Sequence, residues 1–204
     1  MMSKINENKK QKEQTLYNTA FKLFTTKGVQ NTAINDIVRE AGIAKGTFYL
    51  YFKDKYDILD KLIIRKTSIL IKEAVEKTQL KTFENSIDQL LEIINYIVEY
   101  LSGNKLLLKM IYKNLSWGIY RKLLYDPDPA YHNHSLFQNF LQIIEQENLP
   151  IENPEITLFL ILELTGSVCY SSIILQEPAP IEIMKPHLFD AIRKLLKGAN
   201  LQEQ

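Results

Sequence analysis

The sequence predicts an all-α chain of about nine helices: a small N-terminal three-helix module containing a helix-turn-helix, followed by a larger helical body. Three observations carry this. Apolar residues recur at three-and-four spacing along nearly the whole chain. Glycine is scarce, 7 in 204 residues, which leaves few tight turns for a many-stranded sheet. Residues of the AVILMFWYC set make up 46% and charged residues 24%, a globular rather than disordered composition. A single cysteine, Cys169, excludes an internal disulfide framework and any cysteine-based zinc site. The opening MMSKINENKKQKEQ is polar and does not read as a secretory leader.

The first helix is predicted over about 9–27, where Leu16, Ala20 and Phe24 recur every four residues beside Tyr17, Phe21 and Leu23. Gly28 reads as its left-handed C-terminal cap. Thr32 is the expected N-cap of a second helix over 33–40, which buries Ile34, Ile37, Val38 and Ala41. Ala41-Gly42-Ile43 is a tight break before a third helix over 44–51, and so short a glycine turn makes a helix-turn-helix. Asp54 caps a fourth helix to about residue 77, with Asp57 positioned to complete a capping box.

The body continues the pattern. Ile87, Leu90, Leu91, Ile94, Ile97 and Leu101 form a stripe that ends near Gly103. Two shorter pieces follow up to Tyr125, with a break around 116–118. The next helix spans about 130–148, after a stiff Asp126-Pro127-Asp128-Pro129 loop. Pro154 sits at the first position of a helix to about Gln176, where its missing amide costs nothing. A last helix ends near Gly198, its start left open by Pro186.

Charge divides the chain. Residues 1–66 carry 13 Lys/Arg and 7 Asp/Glu, a net +6, and residues 67–204 carry a net −5. A basic module that meets polyanions, followed by an acidic body, is the pattern this implies. Within the basic part, Phe48 and Phe52 are four apart and turn inward if residues 44–51 are helical. The opposite side then presents Gly46, Thr47 and Leu50, with Lys45 at the tip and Tyr49 and Tyr51 on the flanks. A short helix with a small polar end fits a major groove, where Lys45 and Thr47 reach base edges or phosphates and Gly46 permits close approach. Tyr49 and Tyr51 can reach phosphates through their hydroxyls. Lys55 opposes the dipole of its own helix, which is reasonable if a phosphate faces it. Lys9, Lys10 and Lys12 can add phosphate contacts.

These residues resemble a known family. Thr32-Ala33-Ile34-Asn35-Asp36-Ile37-Val38, followed by the unbroken run from Ala41-Gly42-Ile43 through Ala44-Lys45-Gly46-Thr47-Phe48-Tyr49 to Lys55, is similar to the DNA-binding signature of the TetR-like transcriptional regulators. The resemblance covers roughly residues 10–60. It departs at Ala44, where the family often has a capping serine, and at Tyr51, where histidine is common. By resemblance the DNA-contact set is Thr32, Asn35, Lys45, Gly46, Thr47, Tyr49, Tyr51 and Lys55. The resemblance further implies a DNA-binding domain over 1–53 and an effector-binding and dimerisation domain over 54–204. The protein would be a cytoplasmic homodimeric repressor on palindromic double-stranded operator DNA, with no catalytic role. Ligand in the body would move the fourth helix and respace the two recognition helices.

Residues 156–175 hold twenty positions with one charge, Glu163, and invite comparison with a membrane span. The central Glu163, five Thr and Ser residues and acidic flanks argue against a membrane. A soluble helix so apolar must be covered on most sides, and a second chain does this readily. By resemblance, the homodimer forms through about residues 154–198, with Gly166 allowing close approach. Aromatic residues of the body nominate a mostly apolar small-molecule site of Tyr96, Tyr100, Tyr112, Trp117, Tyr120, Phe137, Phe140 and Tyr170, oriented by Glu163. Glu163 itself needs a partner, whether a cationic ligand, a tyrosine or a basic residue of a second chain. His132 and His134 lack a ligand cluster, so neither metal nor cofactor is expected, and Cys169 reads as buried and inert. The motifs of phosphate-binding loops, dinucleotide folds and hydrolases are missing from the sequence. The alternatives are a regulator without a small-molecule ligand and a helical enzyme or carrier with a basic patch.

Overall fold

The computed structural model describes residues 4–125 and 136–198. The Asp126–Pro129 loop, the first residues of the helix expected from 130, and Tyr131, His132 and His134 lie outside them. Among the described residues the chain is helical, with ten α-helices: α1 Lys4–Thr26, α2 Ile34–Ala41, α3 Lys45–Phe48, α4 Lys55–Thr78, α5 Ser86–Gly103, α6 Lys105–Asn114, α7 Trp117–Tyr125, α8 Leu136–Gln146, α9 Pro154–Cys169 and α10 Ile181–Lys197. The chain divides into two compact units between Arg65 and Lys66, a boundary that falls within α4.

In the first unit, α1 packs on α2 and α2 on α3. Leu16, Ala20, Leu23, Ile37, Phe48, Phe52, Ile58 and Leu62 make its core. Tyr17 meets Phe52 edge-on at 5.1 Å, and Phe52 meets Phe48 at 5.4 Å. Gly28 is left-handed at φ +84, as its position after the apolar stripe requires.

The start of α2 differs from expectation. Its N-cap is Ala33, and the Thr32 hydroxyl donates backwards to the Gly28 carbonyl at 2.8 Å. The cap is made from the other side, by Asp36, whose carboxylate accepts from the Ala33 amide at 3.1 Å. That amide, above all, holds the Asp36 carboxyl below the usual carboxylate range. At α4, Asp54 accepts from the amides of Tyr56 and Asp57 at 2.8 and 2.9 Å, as expected of a cap. Asp57 returns its bond to Lys53 rather than to Asp54.

In the second unit, α9 packs on α10, α5, α6 and α8. Val98, Leu108, Ile119, Leu124, Phe140, Ile161, Cys169, Ile192 and Leu196 are its deeply buried residues. Asn153 caps α9 through the Ile156 amide at 3.1 Å, with Pro154 in the first turn. α9 does not stop at Cys169 but widens into a π-helical turn, Tyr170–Leu175. Pro186 neither opens nor ends α10: it lies inside Ile181–Lys197, in the second turn, where one backbone hydrogen bond is lost. Arg193 of α10 pairs with Asp88 of α5 at 3.0 Å. Pro154–Leu175 is long and apolar enough to cross a membrane by length and composition, yet Leu158, Ile161, Thr165 and Cys169 face the interior of this unit.

Candidate functional site

The candidate nucleic-acid face begins at Gly42. Its left-handed backbone, φ +65, lets its own amide donate to Arg39 and the amide of Ile43 reach the Val38 carbonyl at 3.0 Å, ending α2 abruptly. Extended Ala44 then opens α3, and Thr47 donates to the Ala44 carbonyl at 2.9 Å. The α-helical part is one turn, Lys45–Phe48, instead of the whole of 44–51. Beyond it Leu50 and Tyr51 donate to Thr47 and Phe48, three residues back, so the segment tightens into a narrower turn. Ala44 offers no side-chain cap, and Gly46 and β-branched Thr47 favour helix weakly. Burial of Phe48 and Phe52 fixes the segment instead.

That burial sets what the outer side presents. Asn35, Lys45, Gly46, Tyr49 and Leu50 are exposed, and nothing lies within 4 Å of where a Gly46 side chain would start. Thr47, Tyr51 and Lys55 are half-buried. Three residues of the expected contact set are committed elsewhere. Thr32 is buried with its hydroxyl on Gly28, so that side chain has no open face. The Lys55 ammonium donates to the carbonyls of Val29, Gln30 and Thr32 at 3.0, 3.3 and 3.3 Å, so its charge holds the loop that follows α1. The Tyr51 hydroxyl donates to the Lys9 carbonyl at 3.2 Å. Leu50, 80% exposed, is the residue this set omits. Its outward position was legible in the 44–51 pattern, but an apolar side chain carries no charge to draw attention.

In the body, four of the nominated residues come together. Tyr112 stacks on Tyr170 at 4.3 Å, and the Tyr112 ring lies 3.9 Å from where a Gly166 side chain would start. Tyr120 is buried and meets Phe159 edge-on at 5.5 Å, with the Glu163 carboxylate near enough to act on its phenol. Burial first, and then that carboxylate, push the Tyr120 phenol well above its ordinary range. Glu163 thus stands beside a tyrosine of its own chain and is exposed. At Tyr125 loss of solvent first, and then the Glu155 carboxylate, raise the phenol in the same direction. Phe137 packs on Tyr125 at 5.1 Å, and Phe140 is buried core. Tyr96 and Tyr100 stand apart on α5, Tyr100 exposed. Trp117 opens α7, but its side chain lies outside what is described. Phe159 was missed because it reads as one more apolar residue of α9. Among the described residues no group of three or more His, Cys, Asp or Glu could hold a metal ion.

Comparison with known proteins agrees with this geometry. Residues 16–62 match the bacterial regulatory proteins of the tetR family. An HTH-type transcriptional regulator of Staphylococcus aureus is 34% identical over 103 residues, which span 50% of this chain and 54% of that protein. The chain thus matches about half the length of such curated relatives. Among solved structures, a TetR-family regulator from Syntrophomonas wolfei superimposes with a TM-score of 0.70 at 21% identity, over 95% of this chain and 98% of that one. The regulator FadR from Bacillus subtilis, solved with stearoyl-CoA, gives a TM-score of 0.65 at 17% identity, over 92% and 99%. Residues 16–62 thus carry the helix-turn-helix of the tetR family, and the chain along its length shares the fold of solved TetR-family regulators.

Proposed function

We propose that the protein is a cytoplasmic repressor that binds a palindromic operator as a homodimer and is released by a small, mostly apolar molecule, without catalysis of its own. Residues 1–53 bind DNA, and residues 54–204 sense and dimerise. The observation that carries this reading is the exposed face of Lys45, Gly46, Tyr49 and Leu50 over the buried Phe48/Phe52 pair. Lys45 donates to guanine edges or phosphate, Leu50 packs on a thymine methyl, and Gly46 lets the backbone come close. Asn35, Thr47 and Tyr49 contact the backbone beside it.

Dimerisation is supported by α9. It is apolar around most of its circumference, yet only 33% of its most apolar stretch is buried within the chain. Ile156, Leu160 and Leu175, with Ile183 of α10, are left at 55, 45, 52 and 58% exposure. Covering them with a second copy places two reading segments on one duplex, where successive major grooves lie about 34–36 Å apart. The effector reading is supported by the Tyr112/Tyr170 stack beside Tyr120, Phe159 and Glu163, apolar surfaces with one carboxylate and one phenol to orient a ligand. The fatty-acyl ligand of the FadR complex is a property of that protein; here it supports only a body able to take an apolar guest. Release follows when ligand favours the state whose reading segments lose their spacing, with α4, shared by both units, as the carrier.

The test is selection of duplexes from a random pool by the purified protein, followed by footprinting. A two-fold symmetric protected site, with half-sites about one helical turn apart, is the expected result. A pool with no enriched sequence would refute the reading.

A further inference from the structure

Two observations meet at the edge of the first unit. α1 begins at Lys4, so it carries about three turns ahead of the tetR match at residues 16–62. Lys9, Lys10 and Lys12 are exposed on those turns, with Glu7 and Glu13 as the acids of the same stretch. Their positions follow α1's buried stripe. Lys9 stands seven residues before Leu16 and fourteen before Leu23, and Lys10 stands likewise before Tyr17 and Phe24. Seven residues make nearly two whole turns, so each series shares one side of the helix. Lys12, eleven residues before Leu23, joins the same side. Leu16, Leu23, Tyr17 and Phe24 are all buried. The lysines therefore continue the inward face of α1 beyond the end of its core, and Glu13, seven residues before the buried Ala20, shares that side as its one acid among residues 9–13. Charges on a plain solvated helix lie opposite the buried stripe instead.

The second observation is Tyr51. It stands in the turn that closes the reading segment, and its hydroxyl donates to the Lys9 carbonyl at 3.2 Å. Lys61 holds the same turn from below, donating to the Tyr51 carbonyl at 3.1 Å. The α1 extension is thus tied to the reading segment at the turn that bears the lysines.

We infer that Lys9, Lys10 and Lys12 form a ridge that grips the DNA sugar-phosphate backbone flanking the bases read by residues 45–50, with Tyr51 as the positioning residue that sets the ridge against the reading segment. The inference rests on the DNA-binding reading above and adds a second, sequence-independent contact to it. Three ammonium groups on long stems displace condensed counterions without reading bases, so their contribution falls with salt and is the same on every sequence.

The experiment is fluorescence anisotropy of the full chain on a duplex selected by the wild type and on a random duplex, across a sodium chloride series. The selected site is prepared with and without flanking base pairs. The K9A/K10A/K12A variant should flatten the plot of log affinity against log salt by about 0.9 for each phosphate released. It should keep the wild-type ratio of selected to random binding. Trimming the flanks should weaken the wild type and leave this variant nearly unchanged. The triple Lys→Arg variant should keep the slope, and Tyr51→Phe should lose part of it with the ratio intact. A thermal melt confirms that each variant folds. An unchanged slope in the folded alanine variant, or equal flank dependence in variant and wild type, overturns the ridge while leaving DNA binding in place. A wild type that selects no duplex fails the underlying reading, and the ridge with it.

Discussion

At the scale of single residues, what a side chain is free to do depends on what it already holds. Lys45 and Lys55 are both lysines at the start of a helix, yet Lys45 is exposed while Lys55 gives its three donors to three carbonyls. Lys45→Ala should therefore weaken operator binding by about 1–3 kcal/mol and relax specificity if it reads a base edge. A uniform loss on all sequences, with a salt slope smaller by about one, would mark a phosphate contact instead. Binding assays in which Lys45→Ala and Tyr49→Ala together leave operator affinity unchanged would remove this face from the interface. Cys169 gives a prediction of another kind. Its buried thiol is pushed up to about 12 by loss of solvent. Because the folded value exceeds the unfolded one, folded stability is undiminished at neutral pH and declines between about 9 and 12, where only the unfolded chain ionises. A disulfide reagent should react slowly with the native protein at pH 8 and quickly in urea; equal rates would contradict that burial.

At the scale of elements, α9 holds two roles on different sides. One side carries Leu158, Ile161, Thr165 and Cys169 into the body, and the other leaves Ile156 and Leu160 exposed. Gly166 is half-buried, and a side chain there would start 3.9 Å from Tyr112 of the same chain, so a change at it would also disturb the body. Leu160→Glu is accordingly the sharper test of dimerisation than any change at Gly166. Light scattering at micromolar concentration should give a dimer for the wild type and a monomer for Leu160→Glu, with the melting transition retained. A wild-type monomer would contradict the proposed assembly.

At the scale of the whole molecule, a ligand that releases DNA must prefer the released state. A reversal from 99:1 to 1:99 requires a preference of about 5.5 kcal/mol, and linkage makes the effect mutual. Any compound found to bind the protein should therefore bind more weakly when operator is present, by the same factor by which it weakens operator binding. Calorimetry with and without operator measures this directly. Equal affinities would mean that the bound site is not the switch.

Local chemistry made most of the fold legible in the sequence. Period and capping placed α1, α2, α4, α5 and α9 within a few residues, because stripe spacing, Gly28, Gly42, Asp54 and the Asn153-Pro154 start act through near neighbours in the chain. The same locality exposed the motif around Lys45 and the inward Phe48/Phe52 pair. What local chemistry could not decide was the partner of each polar group. Thr32 turns to Gly28, Lys55 to the carbonyls ending the loop after α1, Tyr51 to Lys9 and Glu163 to Tyr120. The length of α3 and the place of Pro186 were settled in the same way, by what packs around them. A hydrogen bond is directional and short, so its partner depends on which distant segments the core brings within about 3 Å, whereas an apolar stripe needs only a side to face.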